Sequence, residues 1–375
     1  MLKGIHLTLM MGPVVPIPVS KEIVDALTSV QVSTSTQGAS GFQLSFELST
    51  KSPLHIAFLL SGGNPIPIVR VIIIVTINGT PEVLIDGTMT NHQVSPGSSP
   101  STSNLTISGE DLSRVMDYID FSGIPYPAMP PSARVLLILA KYAFLGILPK
   151  VLPSPLLDVP NPLDRIPRQK GKDLSYIKQL ADLVGYVFYM EPGPTPGVSF
   201  AYWGPEIKVG APQPALNVDM DAHTNVESLS FSFNSEMNKI PVVYIQNPQT
   251  KLPIPIPIPD ITPLSPPLGV IPPIPKNLDP ITETAKYNPV QGALIGMARA
   301  AESADAVTGS GSLDVLRYGR RLQARKLVGV RGAGHAYNGL HYVESVTDNI
   351  KRGEYKQSFT LSRNGLLSTI PRVSA

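Results

Sequence analysis

Residues Gly41–Ser49 read Gly-Phe-Gln-Leu-Ser-Phe-Glu-Leu-Ser, and this stretch decides the class of fold. Apolar residues alternate with polar ones, and a period of two is typical of a β-strand that is buried on one face. Residues 69–77, Val-Arg-Val-Ile-Ile-Ile-Val-Thr-Ile, are too apolar for a strand with one wet face, so we expect both faces to be covered. Asn78-Gly79 follows, and Asn-Gly between apolar runs predicts a hairpin turn. The first part of the chain is therefore predicted to be β-structure.

Other short apolar runs predict strands along the rest of the chain. The predicted strands cover residues 83–85, 104–108, 186–190, 198–203, 229–233, 242–246, 313–317, 322–331, 340–348 and 355–363. The segment Gly309-Ser310-Gly311-Ser312 is interpreted as a flexible link before one of these strands.

Helices are predicted at residues 111–118, 133–145, 173–184 and 290–304. The third has the clearest end signals, because Asp173 is a preferred N-cap residue and Gly185 a preferred C′ residue. Leu180 lies on its apolar face together with Leu174, Ile177, Ala181 and Val184. The order β, α/β, β divides the chain into three predicted domains, residues 1–118, 119–225 and 226–375. Two similar barrels on either side of a small α/β unit fit that order.

Residues 252–280 form a low-complexity stretch with 11 prolines. Pro at alternate positions in Ile254-Pro-Ile-Pro-Ile-Pro259 rules out a helix or a central strand, so we expect an extended, polyproline-like segment. It is predicted to be an insertion that lies over a surface or over a neighbouring subunit. A disordered loop is the alternative, and the isoleucines argue against it, because disordered tracts are poor in β-branched residues.

The composition excludes several classes of function. Charged residues make up 15% of the chain, against about 25% on average, and the formal net charge is +2, so little electrostatic attraction to nucleic acid is expected. The absence of cysteine excludes disulfides, thiolate metal sites and thiol nucleophiles. The 40 prolines disfavour an all-helical fold. Neither a signal peptide nor a transmembrane helix is predicted, since no apolar stretch has the required length and flanks.

The chain carries no recognisable catalytic motif. His335, His341 and Glu344 have the residue types of a two-histidine, one-carboxylate metal site, but structural histidines in a turn and a strand are a far commoner explanation. Residues 329–334 are glycine-rich but join two predicted strands, whereas a dinucleotide-binding loop leads into a helix. We therefore predict no catalytic residue, no cofactor and no metal, and the protein is not expected to be an enzyme.

The densest basic segment lies between residues 317 and 331. Its members are Arg317, Arg320, Arg321, Arg325, Lys326 and Arg331. One interpretation is a solvated strand edge, and the other is an interface patch that faces acidic partners or lines a channel. Nucleic-acid binding is disfavoured, because no series of aromatic side chains accompanies the charges.

Two segments resemble the late control protein D family, the central baseplate hubs of contractile injection systems. Glu82-Val-Leu-Ile-Asp-Gly-Thr-Met-Thr, followed by Leu105-Thr-Ile-Ser-Gly-Glu-Asp-Leu, is similar to a hairpin in the first barrel of that family. Gly171-Lys-Asp-Leu-Ser-Tyr-Ile-Lys-Gln-Leu-Ala, followed by Asp182-Leu-Val-Gly-Tyr-Val-Phe-Tyr, is similar to its capped helix and the strand that comes after it.

A third segment resembles the family's second barrel and is the most specific of the three. It comprises Leu313-Asp-Val-Leu-Arg-Tyr-Gly-Arg-Arg-Leu-Gln-Ala-Arg, Leu327-Val-Gly-Val-Arg-Gly-Ala-Gly, Tyr337-Asn-Gly-Leu-His-Tyr-Val and Gly353-Glu-Tyr-Lys-Gln-Ser-Phe-Thr-Leu-Ser-Arg. This segment is most similar to hubs of extracellular phage-tail-like particles. Order and spacing match over roughly residues 30–365 of the chain.

The resemblance implies a β-rich α+β fold with two tube-protein-like antiparallel β-barrels and a small α/β unit. It also implies a homotrimer that forms a pseudo-hexameric ring and joins a six-fold inner tube to a three-fold spike. The expected partners are the inner tube ring, the spike and other baseplate proteins, with room for effector cargo in an axial channel. The residues that carry the family signature are Asp173, Leu180, Gly185, Arg317, Tyr318, Gly319, Arg331, Gly332, Gly334, Gly339 and Tyr355.

Two features depart from the family pattern. The sequence ends shortly after the last predicted strand, without the OB-fold and β-helix of fused hub–spike proteins, so the spike is expected to be a separate polypeptide. The Pro-rich insertion has no counterpart in the family pattern. The resemblance further implies assembly in the bacterial cytoplasm as part of a phage-tail-like particle.

Two other classes of function stay open as alternatives. A cell-wall hydrolase carried at a tail tip needs a positioned pair of carboxylates, and the acidic residues here are scattered. A secreted β-rich binding module for glycans would be expected to expose an aromatic cluster, and the chain has a single Trp.

Overall fold

Antiparallel strands dominate the structure, a computed structural model. It describes residues 5–36, 38–49, 68–96, 102–154, 166–236, 239–246, 252–257, 266–274, 277–281, 292, 295–296, 305–370 and 373. The strands are β1 (Ile5–Gly12), β2 (Ile17–Pro18), β3 (Leu27–Ser35), β4 (Gly41–Ser49), β5 (Arg70–Ile77), β6 (Thr80–Pro96), β7 (Thr102–Asp111), β8 (Ile147–Val151), β9 (Val187–Pro192), β10 (Ser199–Gly204), β11 (Gln213–Asn217), β12 (Ser228–Phe233), β13 (Lys239–Gln246), β14 (Pro253–Pro257), β15 (Gly269–Ile271), β16 (Asn277–Ile281), β17 (Val307–Asp314), β18 (Leu327–Arg331), β19 (Gly339–Lys351), β20 (Glu354–Arg363) and β21 (Leu366–Ser368).

The helices in the described part of the chain are short. They are α1 (Lys21–Ala26), α2 (Pro131–Ala140), α3 (Asp173–Val184) and α4 (Val315–Tyr318), with 3-10 turns at Leu112–Asp117, Ala143–Leu145 and Asp221–His223. The helix predicted at 290–304 lies almost wholly outside the described residues, of which Gly292, Ile295 and Gly296 are helical.

A 13-stranded sheet forms the frame of the molecule. Its strand order is β12-β17-β20-β19-β3-β4-β7-β6-β5-β1-β2, and β18 adds to β19 and carries β11 on its other side. β3 of the first predicted domain pairs with β19 of the third, and the two segments share one apolar cluster that includes Val32 and Val346. The sheet is thus continuous between the two outer segments. The division into three domains stays a prediction, as does the number of barrels.

The strands predicted from Gly41–Ser49 and from residues 69–77 are present as β4 and β5. β5 is buried on both faces along nearly its whole length, as its apolar composition predicts. The Asn78-Gly79 turn joins β5 to β6, and both residues have positive φ, 50° and 85°, as a type I′ hairpin requires. The fold is β-rich, as predicted.

A small α/β unit packs beside the long sheet. Its three strands have the order β8-β10-β9, with β8 parallel to β10. α2 and α3 belong with this sheet to a second apolar cluster, in which Ile177, Leu180 and Trp203 are buried. Gly185 ends α3 in the left-handed conformation at φ 68°, as its position after the apolar face predicts.

Four local predictions are wrong. The N-cap of α3 is Lys172, and Asp173 is the first helical residue, with its side chain turned into the interior. Residues 315–317, predicted as strand, lie in the helical turn α4, because the Asp314 carboxylate accepts hydrogen bonds from two backbone N–H groups there. β18 begins at Leu327, five residues later than predicted, since loop residues 320–326 are held by side chains. Residues 309–312 lie inside β17 and are not a flexible link.

The Pro-rich segment is anchored to its own chain. β14 and β16 lie on either side of β13, and β14 is an extended edge strand of this small sheet, in line with the prediction that it is no central strand. β15 pairs with β21, and the Asn364 side chain accepts hydrogen bonds from the N–H groups of Leu268 and Gly269. The described part of the insertion is therefore ordered by strand pairing, and its contact with a neighbouring subunit stays a prediction.

Candidate functional site

One face of the long sheet carries polar, uncharged side chains across eight neighbouring strands. Directly paired residues project from the same face of a sheet, so the strand registers place Ser228, Ser312, Ser358, Thr347 and Ser33 side by side. Similar rows of paired polar residues lie on each side of this row. We call the whole surface the neutral face; its residues are Ser29, Gln31, Ser33, Ser35, Gln43, Ser45, Asn91, Gln93, Thr106, Ser108, Ser228, Ser230, Ser310, Ser312, Ser345, Thr347, Asn349, Ser358 and Thr360.

The neutral face follows from the period of two along each strand. Every one of its residues is at least partly exposed, whereas many of the residues between them, such as Val32, Leu44 and Val346, are fully buried in the apolar core. Some of the hydroxyl groups are bonded to each other: the Oγ atoms of Ser228 and Ser312 lie 2.9 Å apart. The face therefore offers hydroxyl and amide groups and no apolar side chain.

Charged residues on this side of the sheet lie toward the strand ends. They are Glu47, Glu110, Asp314, Lys351, Glu354 and Lys356, and Glu344 lies at the β19 bulge beside Ser345, where it bonds to Ser362. The Lys356 ammonium lies 2.9 Å from the Glu227 carboxylate and 3.0 Å from that of Glu354, so its charge is compensated locally. The middle of the face is without net charge.

Two glycines allow β17 to carry part of the neutral face. A Cβ on Gly309 would come within 2.6 Å of the Phe231 ring, and one on Gly311 within 2.8 Å of the Phe359 ring. The Gly-Ser-Gly-Ser repeat is thus a strand with glycines under aromatic rings and serines facing outward. The sequence analysis missed this face, although Ser-x-Ser alternation in Ser228–Phe233 and in 308–312 was a signal for it.

A buried polar network lies behind the neutral face. The Arg321 guanidinium binds the Asp348 carboxylate in a fork, with its shortest N–O distance 2.9 Å, and Asp348 is fully buried. The same carboxylate accepts hydrogen bonds of 2.7 Å from the Tyr355 hydroxyl and from the Gln357 amide. Burial and the neighbouring Asp348 carboxylate raise the pKa of the Tyr355 phenol well above its usual range, so the phenol stays protonated and donates. The network fixes the loop at Leu322, whose N–H and carbonyl both bond to Gln357.

The basic segment is divided between interior and surface. Arg321 belongs to the buried network, and the Arg325 guanidinium stacks 3.8 Å from the centre of the Tyr189 ring while donating to the Ser35 carbonyl. Arg317 and Arg320 are exposed. Neither sequence interpretation fits the segment as a whole, and a role of the exposed arginines at an interface stays a prediction.

Hydrogen bonds from a buried ion pair of the long sheet join that sheet to the α/β unit. Arg70 on β5 binds both carboxylate oxygens of Asp86, at 2.8 and 2.6 Å, and donates to the Gly197 carbonyl, while Ser199 on β10 donates to Asp86. Both charged side chains are almost fully buried. This joint holds β10 against β5 and β6.

A second joint lies at residues 206–208. The Lys208 ammonium lies 2.6 Å from the Asp305 carboxylate and 3.5 Å from that of Glu206. Burial raises the pKa of Glu206, and it also raises that of Glu344 nearby. A cleft of about 210 Å³ opens beside it, lined among others by Glu206, Tyr202 and Arg325.

The Asp173 side chain organises the interior of the α/β unit. It is fully buried and accepts hydrogen bonds from the Tyr142 hydroxyl at 2.7 Å and the Gln169 amide at 2.6 Å, with the Lys141 ammonium 2.6 Å away. Gln169 in turn accepts from Tyr126, and burial together with the nearby Asp173 raises the pKa of Tyr126 to about 12. Asp173 therefore fastens α3 to α2 and the preceding loop, which the N-cap prediction missed.

The remaining signature residues are turn and packing positions. The Tyr318 hydroxyl donates to the Pro214 carbonyl at 2.6 Å, and Gly319 ends α4 with φ 83°. Gly332 has φ 85° and lies so close to Val218 that a Cβ would overlap its carbonyl oxygen. Arg331 pairs with Asn217, while Gly334 and Gly339 also have positive φ. Apart from Asp173, Leu180 and Gly185 in the α/β unit, the signature residues lie in β18–β20 and the turns around them, and their part in assembly stays a prediction.

The residues of the possible two-histidine, one-carboxylate site do not form a metal site in the described part of the chain. His335 is exposed while His341 is fully buried, and burial, with Arg363 nearby, lowers the pKa of His341 to about 3. Within the described ranges no three His, Asp or Glu side chains gather in a way that could hold a metal ion. No helix in the same ranges has the length and apolar character needed to cross a membrane.

No protein-family model and no curated protein matches the sequence. Solved structures do match. A tail protein from Neisseria meningitidis superposes with a TM-score of 0.65 at 13% identity, over 97% of this chain and 98% of the other. The 43 kDa tail protein of prophage MuSo2 from Shewanella oneidensis gives 0.61 at 13% identity, over 96% and 98%.

Structures from secretion systems match as well. A chain of the Francisella PdpA–VgrG complex superposes with a TM-score of 0.62 at 10% identity, over all of this chain and 55% of the other. A component of the E. coli type VI secretion system, described as structurally similar to the T4 bacteriophage tail proteins gp27 and gp5, gives 0.53 at 11% identity, over 92% and 77%.

The protein thus has the fold of these phage tail and secretion-system proteins. That fold agrees with the resemblance to the late control protein D family in the sequence.

Proposed function

We propose that the protein is the structural hub of the baseplate of a contractile injection system, and that its neutral face lines an axial channel. The observation that carries the proposal is the neutral face itself, a wet surface that runs unbroken over eight strands and is neither apolar nor charged. Surfaces that bind partners tightly expose apolar or aromatic anchors, so this one is better suited to face water in a conduit.

In this proposal three copies form a ring, each copy contributing two barrel-like halves of the long sheet. The ring matches a six-fold inner tube on one side and a separate three-fold spike on the other. The buried Arg70–Asp86 ion pair, which is hydrogen-bonded to Gly197 and Ser199 of the α/β unit, suits this role, because a hub transmits thrust and its parts must not shift relative to one another. The function is mechanical, and no step of it needs a catalytic group.

A tail-tip hydrolase is supported less well by the described residues. Two pairs of acidic side chains that approach one another are each tied to a lysine, Glu206 and Asp305 to Lys208 and Glu227 and Glu354 to Lys356. A glycosidase needs two carboxylates on either side of an open substrate cleft. The neutral face, in contrast, has no such pair.

The oligomeric state tests the proposal. Mass photometry of the purified protein, with electron microscopy of the particle, is expected to give a trimer and a ring with a central opening. Obligate interfaces of this type bury about 2,000 Å² or more, so the trimer should persist on dilution to micromolar concentration. A monomer at high concentration, together with a particle that has no ring of this protein, would contradict the proposal.

The Pro-rich insertion is proposed to contact a neighbouring hub subunit or an adjoining tube or baseplate protein. Ile254 and Ile256 are exposed on β14, 46% and 38% of their surface, and face the same side. The double variant Ile254→Ser and Ile256→Ser should fold normally and assemble poorly, as judged by the yield of contractile particles. Val94→Ser, at another exposed apolar site, is the matched control. Normal assembly of the double variant would show that β14 has no such contact.

A further inference from the structure

The composition of the neutral face bears on what passes along it, provided that the proposed channel exists. A passing chain is held back by a wall through apolar contacts or through charges. The neutral face has no apolar side chain, and its charged neighbours lie at its margins, toward the strand ends and at the β19 bulge. The middle of the neutral face therefore has neither the apolar contacts nor the charges that would hold back a passing chain.

The hydroxyl and amide groups of the neutral face can form hydrogen bonds with a passing chain whatever its net charge. Hydroxyl and amide side chains both donate and accept hydrogen bonds, as the peptide backbone does. Ser228 and Ser312, and likewise Ser230 and Ser310, are already within bonding distance of each other across the strands. A water molecule or a peptide group can therefore take the place of either serine in such a hydrogen bond.

We propose that the neutral face makes the channel wall indifferent to the net charge of polypeptide cargo, so that acidic and basic polypeptides pass equally. The symmetry of the proposed ring would repeat any charge on this face in every subunit, so the absence of charge affects the whole channel wall. A single charged residue on this face would occur once per subunit, and one charge about 4 Å from a passing charge changes its local concentration about fivefold in water. A ring of like charges would multiply that factor and select cargo by sign.

The absence of cysteine from the chain makes a direct test possible. Ser358→Cys places a single thiol in the middle of the face, and Ser310→Cys is a second site should the first variant not fold. The assembled protein is treated with maleimide peptides of equal length that are Lys-rich, Asp-rich or Ser-rich. Each rate is divided by the rate of the same peptide with free cysteine. Gln179→Cys, exposed on α3, is the control for surface labelling.

We expect the three corrected rates at Ser358→Cys to agree within about threefold. Adding Thr347→Lys, whose position pairs with Ser358 across the strands, should favour the Asp-rich over the Lys-rich peptide by more than about tenfold. Selectivity of tenfold or more without the added lysine would overturn the proposal, because charges elsewhere would then control the path. No effect of Thr347→Lys would overturn it too, because the wall would not govern passage.

A bulky polyethylene-glycol maleimide separates this proposal from the proposed function. If the face lines a channel, this reagent should label Gln179→Cys and leave Ser358→Cys unmodified in the assembly, while the short peptides label both. Rapid labelling of Ser358→Cys by the bulky reagent would refute the channel itself. Slow labelling combined with strong charge selectivity would keep the channel and refute only its indifference to charge.

Discussion

Removing the carboxylate of Asp348 should cause one of the largest losses of stability that a single substitution can produce in this protein. Asp348 has no exposed side-chain surface, and the Arg321 side chain that it binds is only 10% exposed. Asp348→Ala therefore leaves a buried guanidinium unpaired and deprives Tyr355 and Gln357 of their acceptor. Breaking a buried ion pair from one side costs about 3–5 kcal/mol, and we expect a loss in this range.

The size of the loss depends on the charge that is left behind, and this can be tested separately. Arg321→Met combined with Asp348→Leu removes both charges and fills the space with apolar atoms. We expect the double variant to be more stable than Asp348→Ala by at least about 2 kcal/mol, because no unpaired charge stays buried. Tyr355→Phe removes one hydrogen bond to a charged group and should cost about 1.5–3 kcal/mol.

Urea-induced unfolding, followed by far-ultraviolet circular dichroism, measures these differences. The matched control is Asn349→Ala, one residue along β19 and on the wet neutral face, where we expect a change within about 0.5 kcal/mol. A loss below about 1 kcal/mol for Asp348→Ala, or an equal loss for Asn349→Ala, would refute the reasoning that the buried network holds the β19–β20 region together.

The other predictions concern the α/β unit, a buried histidine and β17. Asp173→Ala should cost about 3 kcal/mol in urea unfolding, well above the roughly 1 kcal/mol of a lost helix cap, and a loss near 1 kcal/mol would favour a capping role after all. Leu180→Ala should cost about 2–5 kcal/mol in the same assay, since Leu180 is 2% exposed, and a neutral result would mean that α3 packs on another face. His341 has a folded-state pKa of about 3, below the usual 6.5, so its contribution is fully present above pH 6.5 and is lost as the pH falls. Relative to His341→Gln, the unsubstituted protein should lose about 1.4 kcal/mol per pH unit between pH 6 and 4 in parallel melts, and equal pH dependence would show that the histidine is not buried. Gly311→Val should destabilise the fold by several kcal/mol, because its side chain would meet the Phe359 ring and the Ser228 carbonyl, and Ser310→Val, one position away on the wet side, should fold normally in thermal melts.

The sequence predicted those parts of the fold that depend on local patterns. Gly41–Ser49 is a strand because its alternation is local, and Gly185 ends α3 because a left-handed residue is needed there. The pattern could not show that β3 pairs with β19, since this contact joins residues more than 300 positions apart. The helix signal at Asp173 was interpreted as a cap because its true partners, Tyr142 and Gln169, meet it only in the folded unit.

The candidate site was harder to predict than the fold. Each strand of the neutral face has its own Ser, Thr, Asn or Gln residues, which in isolation describe an ordinary wet face. Their significance comes from the register of eight strands, which no single segment contains. The glycines at 309 and 311 were misread for the same reason, because the aromatic rings above them belong to Phe231 and Phe359 on other strands.

The alternation of proline along β14 has a consequence for how the small sheet can grow. Proline has no N–H group, so Pro253, Pro255 and Pro257 cannot donate, and the ladder to β13 must use the N–H groups of Ile254 and Ile256. The outer side of β14 then presents carbonyl oxygens and not one donor along its length. An incoming strand would find half of its hydrogen bonds unavailable. A strand-rich protein risks uncontrolled pairing between exposed sheet edges, and the missing donors make this edge a poor template for it.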